Sequence, residues 1–121
     1  MLALINTSAV AGWTAVSNSE NFTTYVDLTT ISKAGDGVKM WELRNYKTVQ
    51  RLAGNKYLSQ KTQVEYDCRK EQSRSLAFSQ FSERKGKGQV VFTSSKSGNK
   101  WLPVKPGSVA RTLWKIACGK R

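Results

Sequence analysis

Acidic side chains are scarce in this chain, and Glu65 and Asp67 form the clearest pair. Two residues apart on an extended segment, their Cα atoms stand about 7 Å from each other on one face. That spacing suits paired-carboxylate hydrolysis. Lys61 and Lys70 stand close by in sequence, however, so ion pairing is the simpler reading. Little else could do catalysis. The chain has no His, which removes Ser-His-Asp triads, Cys-His pairs, His-based metal motifs and imidazole acid–base chemistry. Two Cys cannot build a four-thiolate zinc site. Gly86-Lys87-Gly88 is too short for a phosphate loop with its lysine and hydroxyl at the required offsets. No enzyme, metal or cofactor is expected.

What the chain has in excess is positive charge. Twenty Lys and Arg face eight Asp and Glu, a formal net charge of +12. The cations fall into three groups. Arg84, Lys85 and Lys87 sit around a glycine-rich turn, followed by Lys96 and Lys100; Lys47, Arg51, Lys56 and Lys61 form a second group, and Arg69, Lys70 and Arg74 a third. Such an excess steers acidic partners over long range. The expected anion- or partner-binding residues are Arg84, Lys85, Lys87, Lys96 and Lys100, against the plainer reading of a charged surface that keeps the protein soluble. Trp13, Trp41, Trp101 and Trp114 could serve as stacking platforms. Core packing is expected instead, because Trp41 and Trp114 lie in apolar periodic stretches; Trp101, between Lys100 and Leu102, is the one expected to be partly exposed.

These residues must be held by a fold that 121 residues can build as one domain. The dominant period is two. Gly12–Asn18, Phe22–Val26, Val38–Tyr46, Lys56–Cys68, Gln72–Phe81 and Gln89–Ser94 read as strands, with Ala34-Gly35-Asp36-Gly37 a strong turn and Asp27 closing the second strand. In Lys56–Cys68 the residues Leu58, Gln60, Thr62, Val64, Tyr66 and Cys68 share the inward face, leaving Tyr57, Ser59, Lys61, Gln63, Glu65 and Asp67 on a wet outer face. A single helix is predicted after Pro106-Gly107-Ser108, with Ser108 as N-cap. Val109, Ala110, Leu113, Trp114, Ile116 and Ala117 cover an arc of about 160°; Gly119 suits the stop. The expected class is α+β, mainly β: a single antiparallel sheet of about six strands with a C-terminal helix packed on it.

Cys68 and Cys118 are even in number, and in an oxidising compartment they would form one disulfide. Closing about 50 residues would stabilise the fold by ~4 kcal/mol in chain-entropy arithmetic. Two free buried thiols in a cytosolic chain are the alternative. Residues 1–11 carry no charged side chain and end in Ala9-Val10-Ala11, as a signal-peptidase site does. They read as a signal-peptide remnant before a domain at 12–121, the alternative being a frayed or strand-forming amino end. No Cys lies near that junction to take a lipid, and no window approaches the about 20 apolar residues of a membrane span.

The order of features supports a closer comparison. Trp13 leads to Tyr25-Val26-Asp27, Val38-Lys39-Met40-Trp41 and Tyr46. Then come Tyr57-Leu58-Ser59, Glu65-Tyr66-Asp67-Cys68, Trp101-Leu102-Pro103-Val104, Pro106-Gly107-Ser108 and Leu113-Trp114-Lys115-Ile116-Ala117-Cys118. Over Gly12 to Cys118 this resembles the surface-adhesin protein E family of Gram-negative bacteria. The resemblance implies an antiparallel sheet with a helix on its concave side, a disulfide, export to the envelope and no catalysis. It also implies a periplasmic, secreted or cell-surface location, and allows a homodimer. The expected function is a non-enzymatic envelope binding protein, an adhesin meeting host matrix or serum proteins through a basic surface. The alternative is a sequence-independent binder of anionic polymers such as glycosaminoglycan, nucleic acid or envelope polymer; no specific nucleic acid is expected.

Overall fold

The computed structural model of the protein describes residues 12–95 and 99–120. The expected signal remnant at 1–11 and the candidate Lys96 lie outside the described residues. Within them the chain runs as strands β1 (Thr14–Asn18), β2 (Phe22–Ala34), β3 (Gly37–Leu52), β4 (Asn55–Asp67), β5 (Gln72–Phe81), β6 (Val90–Ser94) and β7 (Leu102–Pro103), then helix α1 (Val109–Cys118). The strands form one antiparallel meander in the order β1 to β6, with the two-residue β7 pairing the start of β5. The expected α+β class, antiparallel sheet, C-terminal helix and Cys68–Cys118 disulfide are all present.

Two tight turns set the register of the central hairpins. Gly35 and Asp36 join β2 to β3. Gly37 then pairs Asp67 across the β3–β4 ladder, where an added Cβ would stand 2.3 Å from the Tyr66 carbonyl oxygen, so only glycine fits. At the other end Ala53 and Gly54, both with positive φ, close β3 onto β4, the backbone that matches strand twist in two-residue hairpins. Strands β2 and β3 run further than the alternation predicts. Asp27 does not end β2; it sits at a register shift, where Thr29 donates its N–H and its hydroxyl to Asp27 Oδ1 and the strand resumes to Ala34.

Helix α1 is capped as its sequence predicts. Ser108 Oγ accepts the Arg111 N–H at 3.1 Å, and Gly119 turns left-handed at φ 67° so that Lys120 N–H reaches the Lys115 carbonyl. Its buried residues Leu113, Trp114 and Ala117 pack on Val26, Met40, Val64, Tyr66 and Val104, each large side chain contributing roughly 1.5–3 kcal/mol by leaving water. Trp114 Nε1 also donates to the Asp67 carbonyl at 2.9 Å. With the disulfide one residue further on, that bond pins the helix to the end of β4 and the start of β5.

The opposite face is not the wet surface that the alternation predicts. Ser59 is fully buried, as is Leu43. The β5–β6 connection folds back over them: Ser59 Oγ donates to the Glu83 carbonyl at 2.6 Å and accepts the Gly86 N–H at 2.9 Å. Leu43, Ser59 and Phe81 thus form a small second core beneath this loop.

Candidate functional site

The sheet has two ends. One holds the β2–β3 and β4–β5 turns and the disulfide. The other holds the β1–β2 turn, the β5–β6 loop and the tip of the β3–β4 hairpin. At this second end β2 stops pairing at Phe22 with Tyr46, and β5 at Phe81 with Ser59. The hairpin continues alone, with Gln50, Arg51 and Leu52 paired to Tyr57, Lys56 and Asn55. It forms an arm beyond the body of the sheet. A row of aromatic rings braces its base, with Phe22, Tyr46 and Tyr57 in edge contacts of 5.6 and 5.7 Å and the Arg44 guanidinium 4.7 Å over Phe22. Burial, helped by Tyr46, pushes the Tyr57 phenol up from its ordinary value.

Two basic groups that are far apart in sequence meet at this end. Arg84 donates from Nε to the Tyr46 carbonyl at 3.0 Å and from Nη2 to the Lys47 carbonyl at 2.8 Å. The Lys85 N–H donates to Asn45 Oδ1, and its ammonium lies 4.3 Å over the Tyr25 ring. Lys47 Nζ donates to the Ser19 carbonyl at 2.7 Å. The Arg84–Lys85–Lys87 turn is therefore fastened against the arm that carries Lys47, Arg51 and Lys56. Of these six cations Arg84, Lys85 and Lys47 hold the loop and arm in place. Arg51, Lys56 and Lys87 are exposed, and on the arm Val49 and Leu52 are apolar and exposed at 49% and 41%. Arg51 and Lys56 are direct cross-strand partners. Like charges opposite each other are unfavourable in a free hairpin and concentrate positive potential at the tip.

The remaining candidates lie elsewhere. Lys61 points to the outer face, its Nζ 5.1 Å over Phe81 and 5.9 Å over Trp13. Lys100 is exposed on the approach to β7. Arg69 and Lys70 occupy the opposite end, where Arg69 approaches Asp36 at 3.8 Å. The acidic pair is structurally engaged, Glu65 with Arg74 rather than Lys61, and Asp67 with the turn that carries Arg69 and Lys70. Arg74 donates to Glu65 Oε1 from Nε and Nη2, both at 2.9 Å, and stacks 4.4 Å from the Trp101 ring. Asp67 Oδ1 accepts the backbone N–H groups of Lys70 and Arg69, which hold its carboxyl below the usual range. Among the described residues no cluster of His, Cys, Asp and Glu could hold a metal, and no helix is long and apolar enough to cross a membrane.

The tryptophans divide differently from the expectation of core packing. Trp114 is 4% exposed in the core. Trp13 and Trp41 are half-buried on the outer face, flanking a cavity of about 320 Å³ with Asp27, Thr30 and Lys61. Trp101 is half-buried, as expected. The outer face thus carries indole rings between cations, a feature that the apolar run around Trp41 conceals.

Sequence and fold agree on the class of protein. The sequence matches the surface-adhesin protein E family over residues 13–119, and the chain belongs to that family. No curated protein sequence matches it. Among solved structures, crystal form II of Haemophilus influenzae protein E superposes with a TM-score of 0.69 at 14% identity, covering 90% of this chain and 88% of that one. Protein E from non-typeable H. influenzae gives 0.64 at 15% identity, covering 90% and 76%. At this identity the superposition establishes the fold. The family description is that of a secreted or cell-surface adhesin.

Proposed function

We propose that the protein is an exported, non-enzymatic adhesin of the periplasm or cell surface that meets acidic patches on host matrix or serum proteins through its arm end. The reading rests on one observation: the fold fastens the Arg84–Lys87 turn to the Lys47–Lys56 arm and leaves Arg51, Lys56 and Lys87 exposed, with Val49 and Leu52 also exposed on the arm. Exposed cations and exposed apolar side chains on one arm suit a protein surface, where charge speeds encounter and apolar contact slows release. The aromatic brace and the bonds from Arg84 to the arm keep the end rigid, so little ordering entropy is lost on contact.

A second reading follows from the same charge. A sequence-independent binder of anionic polymers would use the cations alone and ignore Val49 and Leu52. Immobilised matrix and serum proteins and immobilised heparin, each probed at low and high salt, separate the two. The adhesin reading expects retention on at least one host protein to survive salt that releases heparin, and to fall when Val49 and Leu52 become Ser. Retention that vanishes on all surfaces at the same salt, untouched by that double substitution, supports the polymer binder.

A further inference from the structure

Strand β2 is interrupted where it crosses the outer face. Asp27 pairs Trp41, the next rung joins Ser32 to Lys39, and residues 28–31 bulge away from the single Met40 opposite. Thr30 closes the bulge. Its hydroxyl donates to the Asp27 carbonyl at 2.6 Å and accepts the Trp41 N–H at 3.0 Å. Bulges re-aim side chains and recur beside binding sites. This one fixes Asp27 and Thr30 in the wall of the cavity of about 320 Å³ that Trp13, Trp41 and Lys61 complete. All five residues are half-buried, so each keeps surface that a ligand can touch. The volume lies at the lower end of small-ligand sites, about 300–1,000 Å³.

The walls carry one charge of each sign, held apart. Asp27 Oδ1 accepts the N–H and the hydroxyl of Thr29. Oδ2, with the chain at Gly12 close against it, accepts no hydrogen bond among the described residues. Lys61 stands on β4, two strands and about 10 Å across the sheet from β2. Its stem lies against Gly86, and its ammonium is 5.1 Å over the Phe81 ring and 5.9 Å over Trp13. Among the described residues neither Asp27 nor Lys61 belongs to an ion pair. At half-buried Trp101 the chain completes the same combination by itself: Arg74 pairs Glu65 at 2.9 Å and stacks 4.4 Å from the ring. Beside Trp41 the carboxylate and the indoles are present, and the protein's own ammonium stands at the far wall.

We propose that this cavity binds a zwitterion of the phosphocholine type, a quaternary ammonium a few bonds from a phosphate. Tryptophan gives the best aromatic face for a quaternary ammonium, and Asp27 adds a carboxylate beside two such faces. Lys61 then meets the phosphate. A simple anion would face Asp27 uncompensated, a simple cation would face Lys61, and an uncharged sugar would neutralise neither. The site is separate from the basic arm and needs none of Arg51, Lys56 and Lys87.

The test follows the indole N–H signals of the intact protein by NMR during titration with phosphocholine, choline, inorganic phosphate and chitotriose at physiological salt. Phosphocholine is expected to shift the Trp13 and Trp41 signals saturably and to leave those of Trp101 and Trp114 in place. Its affinity should exceed that of choline or phosphate about tenfold, the gain from a second charge-assisted contact. Two variants divide that gain. Asp27→Asn, which keeps an oxygen for Thr29, should lose the preference for phosphocholine over phosphate. Lys61→Met, which keeps a stem against Gly86, should lose the preference for phosphocholine over choline. Each preference is a ratio within one variant, so a change of stability does not decide the result. Arg51→Glu with Lys56→Glu should bind phosphocholine as the wild type does, which separates this site from the arm-end reading. Co-sedimentation with phosphatidylcholine vesicles, reversed by free phosphocholine, would support the proposal with a lipid headgroup as source; binding of the free compound alone would support it with a soluble or polymer-borne source. Trp13 and Trp41 signals that phosphocholine leaves unmoved would overturn the proposal. So would equal affinity for phosphocholine, choline and phosphate, a response to chitotriose alone, or preferences unchanged in both variants.

Discussion

Glu42 shows how a single side chain couples this fold to pH. Burial pushes its carboxyl above the ordinary value of 4.5, with Arg44 at 3.9 Å opposing only in part. A raised folded-state value means that the fold prefers the protonated form. The stability contribution is therefore complete below the unfolded value and is lost as pH rises through the folded one. Urea midpoints should show Glu42→Gln gaining on the wild type as pH rises above the ordinary carboxyl value of 4.5; parallel midpoints would contradict this. Asp67 acts in the opposite sense. Its carboxyl is held below 3.8 by the N–H groups of Lys70 and Arg69, so its contribution is present above that value and is lost on acidification. Neither behaviour is visible in sequence, where Glu42 is one polar residue in an apolar run and Asp67 one of a spaced pair. Burial and the turn that closes on Asp67 decide both.

Among the elements, those built from local signals were the legible ones. Pro106-Gly107-Ser108 and Gly119 delimit α1 with the caps observed, and the alternation of β4 assigns Val64 and Tyr66 to the core. Where burial comes from a distant segment, periodicity gives no warning. Met40 and Leu43 lie on opposite faces of β3 and are both fully buried, because α1 covers one face and the β5–β6 loop the other. Trp41 stands between them in sequence and is nonetheless only half-buried. Ser59 carries that loop with two hydrogen bonds from a fully buried hydroxyl, so Ser59→Ala should destabilise the protein by ~1–3 kcal/mol. It should also loosen Arg84 from the arm, seen as faster amide exchange at Gly86. Replacing both Cys68 and Cys118 by Ala should cost ~4 kcal/mol in chain-entropy terms, with fluorescence of Trp114 shifting at lower denaturant as the helix loses its tether beside Asp67.

For the molecule as a whole, the division of labour is between two ends and two faces. The disulfide and helix stabilise one end; the other end gathers cations from β3, β4 and the β5–β6 loop. That gathering is a product of topology. The Lys47–Lys56 and Arg84–Lys87 groups read in sequence as separate clusters, and only the bonds from Arg84 to the Tyr46 and Lys47 carbonyls bring them together. Net charge alone steers partners to the whole surface, so the arm-end proposal demands more than a dependence on salt. It demands that equal changes of charge have unequal effects. The decisive measurement is heparin and host-protein retention for two triple variants that alter net charge identically. One is Arg51→Glu with Lys56→Glu and Lys87→Glu at the arm end. The other is Lys33→Glu with Arg69→Glu and Lys70→Glu at the disulfide end. The arm-end variant should elute at much lower salt than the wild type, and the disulfide-end variant close to it. Equal displacement of both, or of neither, would contradict a basic arm as the contact surface.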